Sequence, residues 1–297
     1  MKIYDCFPYF DENLLLECRL NILNQFVDKF IIVESIYSHS GNKKKLNFNI
    51  NNFKDFKNKI EYIEVKELPD NLDEKDNVED DNKRNEIIIK NAIKRENYQR
   101  NKLTEGLSLA NKDDVILIGD LDEIPLLNNK VFENIDNKVL IFKQQMFYYK
   151  FNLINKNHLW FGTKACKKKN LLSPVWLRNL KSKKYSFWRF DIHFSKKKYK
   201  NIFFVDNGGW HFTSLKSASD IEKKMKNFAH HLEYENSGIN LEKIKKLILE
   251  KKISYDHNAD KTDTNKWNKE ISLDVVPDDI LPEYLIKNKK NFQEWFD

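Results

Sequence analysis

Between Val115 and Pro125 the chain reads VILIGDLDEIP: four apolar residues, a glycine, then the carboxylates Asp120, Asp122 and Glu123 within four positions. The apolar run is too short for a helix and is read as a buried strand. Like charges massed at a strand's carboxyl end are costly unless something neutralises them. In open α/β sheets that end is also where ligands bind. One stretch therefore constrains both the fold and the place where its chemistry is sought.

The rest of the pattern agrees with such a sheet. Residues 2–7 and 29–35 read as short strands, with a helix over 12–27 on which Leu16, Leu20, Leu23 and Val27 recur at helical steps. Residues 60–68 predict another strand, 70–86 an acidic loop, and 83–110 a helix. Residues 138–153 predict one or two aromatic-rich strands, and 201–212 a strand ending in a Gly-Gly turn. Helices follow over 217–234 and 241–252, and a closing helix over 277–296. Strands alternating with helices predict an α/β fold with a mixed, mostly parallel sheet. With 297 residues, 40% of them hydrophobic, the chain suits one large domain over 1–297. Its ligand-binding half is expected at about 1–125, and a second side with the late helices at about 126–297.

Composition removes several classes. Seven glycines, with no Gly-x-Gly-x-x-Gly or Gly-Lys-Ser/Thr, argue against a glycine-rich phosphate loop. The N-terminus lacks a signal peptide, and no apolar run is long enough for a transmembrane span. Cys6, Cys18 and Cys166 are too few and too scattered for a zinc motif or disulfide framework, which favours a reducing compartment. The formal charge of +7 comes from abundant lysine, and the runs at 167–170 and 195–201 are read as solvated loops or strand edges.

What, then, is the acidic cluster for? An Asp-x-Asp in extended backbone puts both side chains on one side of the strand, where a hard divalent ion such as Mg²⁺ or Mn²⁺ would relieve the repulsion. The bland alternative is a turn or helix cap. Three features weigh against it. His211, in NGGWHF, follows two glycines that let backbone approach a ligand. Arg95 lies in KRENYQR, where Glu96 and Arg100 pair at a four-residue step and leave Arg95 for phosphate. Lys223 and Lys224 follow on a helix, where solvation is the commoner role.

The segments VDKFIIVESIYSHSGNKKKLNF, RENYQR, GDLDEIP and GGWHF, followed by Ile221 and Lys224, resemble glycosyltransferase family 17, and the likeness continues to the tail PEYLIKNKKNFQEW. It is weakest over the Lys-rich residues 165–200. The resemblance implies a GT-A-like, Rossmann-type sheet and an inverting N-acetylglucosaminyltransferase that uses UDP-N-acetylglucosamine. Asp120 and Asp122 match the metal-binding Asp-x-Asp, with Asp122 on the ion and Asp120 acting through ribose or water. His211 matches the late histidine of the metal shell, while Glu34, Arg95 and Arg100 match residues near the nucleotide. Animal members carry an N-terminal anchor and stem, whereas this chain starts almost at its first strand. The resulting expectation is a cytoplasmic transferase acting on glycan or lipid-linked saccharide acceptors, with peripheral membrane contact through Lys-rich loops.

In that reading the ion neutralises the leaving diphosphate, Arg95 and Lys224 add charge, and a carboxylate takes the acceptor's proton. Glu123 is the favoured functional carboxylate, as base or support; Asp191, Asp206 and Glu233 are the others. Phe147, Tyr148, Tyr149, Trp160 and Trp210 could stack on sugars, although core packing is the commoner role for such rings. Two rivals remain. A phosphohydrolase of the haloacid dehalogenase type also uses Asp-x-Asp, but with a small residue or hydroxyl where Glu-Ile-Pro stands here. A nucleic-acid binder would use the lysines at 164–169 and 196–200, against which the acidic stretches count.

Overall fold

Alternation along the short strands settles which side chains go to which face of the sheet. In the computed structural model, β1 (Ile3–Pro8), β2 (Lys29–Ser35) and β4 (Val115–Ile118) send Phe7, Phe30, Ile32, Val115 and Leu117 to one core. They send Tyr4, Cys6, Ile31, Val33, Ile116 and Ile118 to the other. The structure describes residues 1–297 except 75–77, 134, 187, 190, 192–193, 196–197, 228–233, 236, 260–266 and 268.

With β3 (Ile60–Val65), these strands form a parallel block in the order β3-β2-β1-β4. The chain steps outward from β1 to β3 and then returns to β1's other side. That reversal leaves a crevice at the carboxyl ends of β1 and β4, where open α/β sheets bind ligands. Helix α1 (Asn13–Leu23) covers one face with Leu15, Leu16, Leu20 and Leu23; α2 (Asp81–Lys102) lies over the other. The mixed, mostly parallel α/β sheet expected from the sequence is therefore present, flanked by helices.

Beyond β4 the sheet continues through β7 (Leu153–Lys167), β6 (Val139–Tyr148), β9 (Gly209–Thr213) and β5 (Glu123–Pro125). The short strands β8 (Ile202–Val205) and β12 (Asp274–Val275) attach to β6 and β7. A separate pair joins β10 (Lys252–Ile253) to β11 (Ile271–Ser272). Helices α3 (Pro174–Asn179), α4 (Ala218–Asn227), α5 (Leu241–Leu249) and α6 (Glu283–Lys287) complete the described elements. Among the described residues, no helix is long and apolar enough to cross a membrane.

Several boundaries differ from the sequence reading. Helix α2 begins at Asp81, inside the expected loop, because the Asp80 carboxylate caps the amides of Asn82 and Lys83. It ends at Lys102, and only a short 3₁₀ turn follows at Glu105–Leu107. The aromatic run is a hairpin whose second strand extends to Lys167. The tail is not one helix: α6 is flanked by 3₁₀ turns, the second broken at Phe292. Part of the helix expected over 217–234 lies outside the described residues; its described part is α4.

The Gly-Gly segment departs most. Residues 201–212 form two strands, β8 and β9, both parallel to β6, so the glycines open β9 rather than close a strand. Gly209 has φ +116°, and a Cβ there would stand 2.3 Å from the Ile124 carbonyl oxygen and 2.5 Å from the Leu126 nitrogen. Only glycine tolerates that approach. It sets the register in which His211 faces Glu123 across β5 and β9. Gly209→Ala should cost at least about 2 kcal/mol of unfolding free energy in a urea titration. A variant as stable as wild type would show that the β5–β9 register does not need this glycine.

Candidate active site

Asp120, Leu121 and Asp122 form a turn closed by Glu123 N–H donating to the Asp120 carbonyl at 3.0 Å. The turn is held from below by Arg19, a fully buried residue of α1. Its Nε and Nη2 each donate to Asp5 at 2.7 Å, while Nη1 reaches the carbonyls of Asp120 (2.9 Å), Leu121 (3.2 Å) and Glu123 (2.7 Å). A planar fork can satisfy a carboxylate and backbone oxygens at once, which a lysine cannot. The backbone is thus curled rather than extended, and the two aspartates have separate partners.

Asp120 accepts from Arg100 Nη2 at 2.8 Å on one oxygen and from Arg178 Nη2 at 2.7 Å on the other. Burial opposes its ionisation, but the charges of Arg178 and then Arg100 hold its pKa far below the usual carboxylate range. Asp122 instead stands 3.6 Å from His211 Nε2 and 3.6 Å from Lys224 Nζ. Against burial, Lys224 first and His211 second hold it down to about 2. Lys224 also lies 3.4 Å from Glu12, and its own pKa is raised by Asp122 and Glu12 against the opposing effect of burial.

Glu123 is completely buried and accepts four hydrogen bonds: two from Arg178 (2.7 and 3.1 Å), one from Trp160 Nε1 (2.6 Å) and one from the Asp120 amide (3.0 Å). Its oxygens are engaged in holding other groups. Trp160, in turn, stacks on the His211 ring at 4.8 Å between centroids. His211 Nδ1 is buried without a hydrogen-bond partner.

A cavity of about 440 Å³ opens at the crevice, lined by Tyr9, Glu12, Arg100, Asp120, Asp122, Trp160, Arg178 and Lys224 among others, with Glu123 and His211 outside the lining. Glu34 and Arg95 do not line it. Glu34 is buried and accepts from Lys44, the amides of Asn47 (2.8 Å) and Phe48 (3.0 Å), and the Tyr62 hydroxyl (3.0 Å), tying down the 44–48 loop. Arg95 donates to the His39 carbonyl at 2.9 Å and packs under Gly41. Both support the cavity wall from behind. Of the other carboxylates named above, Asp191 pairs with Arg189 and Lys198, and the exposed Asp206 pairs with Lys143 at 2.6 Å. Neither lines the cavity, and Glu233 lies outside the described residues. Of the aromatics, Trp160 lines the cavity; Phe147, Tyr148, Tyr149 and Trp210 are buried in the cores.

Arg19 and Arg178 were not singled out by sequence reasoning. Arg178 sits in the Lys-rich stretch that resembles the family least, on α3, whose first turn is set by Ser173 capping Trp176 and by Pro174. The buried Lys164 ammonium donates to the Arg178 and Leu180 carbonyls at the end of α3. Burial, reinforced by the Arg178 charge, lowers its pKa to about 7. A usable signal existed: the chain has only six arginines, and three of them, Arg19, Arg100 and Arg178, converge on one turn.

The crevice thus brings an acidic turn and several cations together at the carboxyl ends of β1 and β4 in an α/β fold. The chain belongs to glycosyltransferase family 17, whose family model matches residues 1–171. The matched stretch includes Arg100, Asp120, Asp122, Glu123 and Trp160, and stops short of Arg178, His211 and Lys224. No curated protein matches the chain. The protein is therefore a glycosyltransferase, which sets aside the phosphohydrolase and nucleic-acid readings as its function. The arginines on Asp120 agree, since they engage both oxygens that a phosphohydrolase would need as nucleophile.

Because Arg19 joins Asp5 to three carbonyls of the acidic turn, Arg19→Met should cost about 3–5 kcal/mol in chemical denaturation. Restoring stability by adding Asp5→Asn would confirm that the unpaired buried carboxylate carries the penalty. A single variant within about 0.5 kcal/mol of wild type would contradict the role assigned to Arg19.

Proposed function

We propose that the cavity binds a UDP-sugar, with N-acetylglucosamine as the sugar, and transfers it with inversion to a hydroxyl of a glycan or lipid-linked saccharide. The observation that carries this reading is the placement of Arg100, Arg178 and Lys224 in the same cavity as Asp122. Guanidinium and ammonium groups converging there beside the carboxylates Glu12, Glu96, Asp120 and Asp122 suit a diphosphate that meets both the cations and a carboxylate-held ion better than a neutral ligand.

A divalent ion fits this arrangement at Asp122 and His211. His211 Nε2 faces Asp122 Oδ1 at 3.6 Å, a spacing that leaves both atoms able to turn to one ion. Among the described residues no third His, Cys, Asp or Glu completes a metal cluster with them. Mg²⁺ and Mn²⁺ at nucleotide sites commonly take one or two protein groups and complete their shell with phosphate oxygens and water. When bound, the ion would supply Lewis-acid stabilisation of the leaving diphosphate. Asp120, held by two arginines, would contribute through the nucleotide or a water.

The chain's own residues do the rest. Lys224 loosely contacts two carboxylates and is placed to turn to a phosphate as charge develops on UDP. Arg178 is fixed in place by Asp120 and Glu123, so it costs little reorganisation when it meets the diphosphate. We assign Glu123 this supporting role: it holds Arg178 and Trp160, and through Trp160 the His211 ring. A base on the acceptor side takes the hydroxyl proton as the anomeric carbon is attacked.

Three measurements test the reading. With Mn²⁺ present, UDP should raise the melting temperature of wild type and not of Asp122→Ala; equal protection of both would remove the metal role of Asp122. His211→Ala should shift the Mn²⁺ concentration needed for that protection, and an unchanged titration would exclude His211. Lys224→Ala should lower kcat about 10²–10³-fold on a UDP-sugar with a smaller change in KM, whereas a change confined to KM would make Lys224 a binding residue only.

A further inference from the structure

The loop after β2 has no part in the chemistry above, yet it reaches the same cavity. Ser38 and His39 line it, together with Glu96 and Gln99 of α2. Arg100 joins this end to the acidic turn. Its Nη2 stands 2.8 Å from Asp120 and 3.0 Å from Glu96, one helical turn earlier on α2. The cations that suit a diphosphate gather on the Asp120 side. Whatever the diphosphate carries on its other side therefore extends past Glu96 toward His39.

His39 sits in a tight turn. Ser38 N–H donates to the Asn42 carbonyl at 2.8 Å, and the Gly41 and Asn42 amides donate to the Ser38 carbonyl and hydroxyl, each at 3.0 Å. Gly41 has φ +102°, and a Cβ there would stand 2.9 Å from the Arg95 guanidinium. That guanidinium donates to the His39 carbonyl at 2.9 Å. Arg95, which does not line the cavity, thus fixes the backbone of a residue that does.

The ring of His39 is fixed as well, and with it the place of its hydrogen. Gln99 is 6% exposed; its Nε2 donates to the Val33 carbonyl at 3.2 Å, and its Oε1 lies 3.2 Å from His39 Nε2. A backbone carbonyl only accepts, so the amide cannot be turned round, and Oε1 must accept from His39. The neutral imidazole then carries its hydrogen on Nε2 and offers Nδ1 as an acceptor. Among the described residues Nδ1 meets no donor, and it is not sealed from solvent.

An acceptor held in one place selects a ligand group that has a hydrogen to give. Uracil has one such group, the N3–H between its two carbonyls. We infer that His39 Nδ1 accepts the N3–H of the donor's uracil and so reads the base, in the tautomer that Gln99 imposes. The inference rests on the UDP-sugar reading and adds to it the residue that recognises the nucleoside. The ribose hydroxyls, which are donors too, then pass the Glu96 carboxylate.

The test compares UDP with N3-methyl-UDP, each titrated in the presence of Mn²⁺ and scored by the rise in melting temperature. The analogue keeps the charge and the ribose but has no N–H. Wild type should bind it at least about tenfold more weakly than UDP. His39→Phe keeps a ring without an acceptor and should bring the two nucleotides within about twofold, chiefly by weakening UDP. Gln99→Met frees the tautomer and should weaken UDP about two- to threefold while leaving the analogue unchanged. Equal protection of wild type by both nucleotides, or a preference that survives His39→Phe, would overturn the inference and leave the donor reading standing. Failure of UDP to protect wild type at all would remove the donor reading, and this inference with it.

Discussion

The buried ion pair between Asp5 and Arg19 underlies the site. Neither side chain has any exposure to solvent, and removing one partner alone from such a pair leaves a costly buried charge. The pair persists because the guanidinium has more to satisfy than the carboxylate. It also takes three backbone carbonyls from the acidic turn, and those oxygens would otherwise crowd together at the end of β4. The first strand, the first helix and the acidic turn are thereby joined at one planar group. Its face also lies over the Phe7 ring at 4.6 Å.

Above that support, each acid has its own counter-charge. Asp120 has Arg100 and Arg178, Glu123 shares Arg178, and Asp122 has Lys224 and His211. The carboxylates that set the geometry are held by arginines, Glu123 by both terminal nitrogens of Arg178 and Asp120 by one nitrogen each of Arg100 and Arg178. The one that faces the cavity with looser partners, at 3.6 Å, is Asp122. This division separates structural carboxylates from the one with capacity left for a ligand, and the spacing Asp-x-Asp alone does not reveal it.

The sequence made the parallel block legible because β1, β2 and β4 are short, apolar and interrupted by clear breaks. It named Asp122, His211 and Lys224 as candidates; His211 and Lys224 each stand 3.6 Å from Asp122, and Asp122 and Lys224 line the cavity. It placed Glu34 and Arg95 at the ligand because motif position cannot reveal hydrogen-bond partners; the 44–48 loop and the His39 carbonyl take them instead. Arg178 and Arg19 were hidden for different reasons. Arg178 sits in a lysine-rich stretch where one more cation carries no signal. Arg19 reads as a polar position on an amphipathic helix, and only the approach of β4 from 101 residues away gives it a buried role. The strand before the Gly-Gly turn is present as β8, but the strand that Gly209 opens after it, β9, was not foreseen, since both flanks are apolar and aromatic.

The site also has an order of assembly. Its acids and Arg100 lie in the first 123 residues, whereas Arg178, His211 and Lys224 come later, and Phe292, near the far end, packs into the same core as α1. A ribosome therefore releases the acidic turn well before most of its counter-ions. Until residue 178 has emerged, Asp120, Asp122 and Glu123 repel one another with only Arg100 and the fork of Arg19 to oppose them, and Asp122 gains Lys224 later still. The parallel block can form early, but the fully lined cavity is a late product of synthesis, and fragments ending before α3 would carry an open, over-acidic crevice.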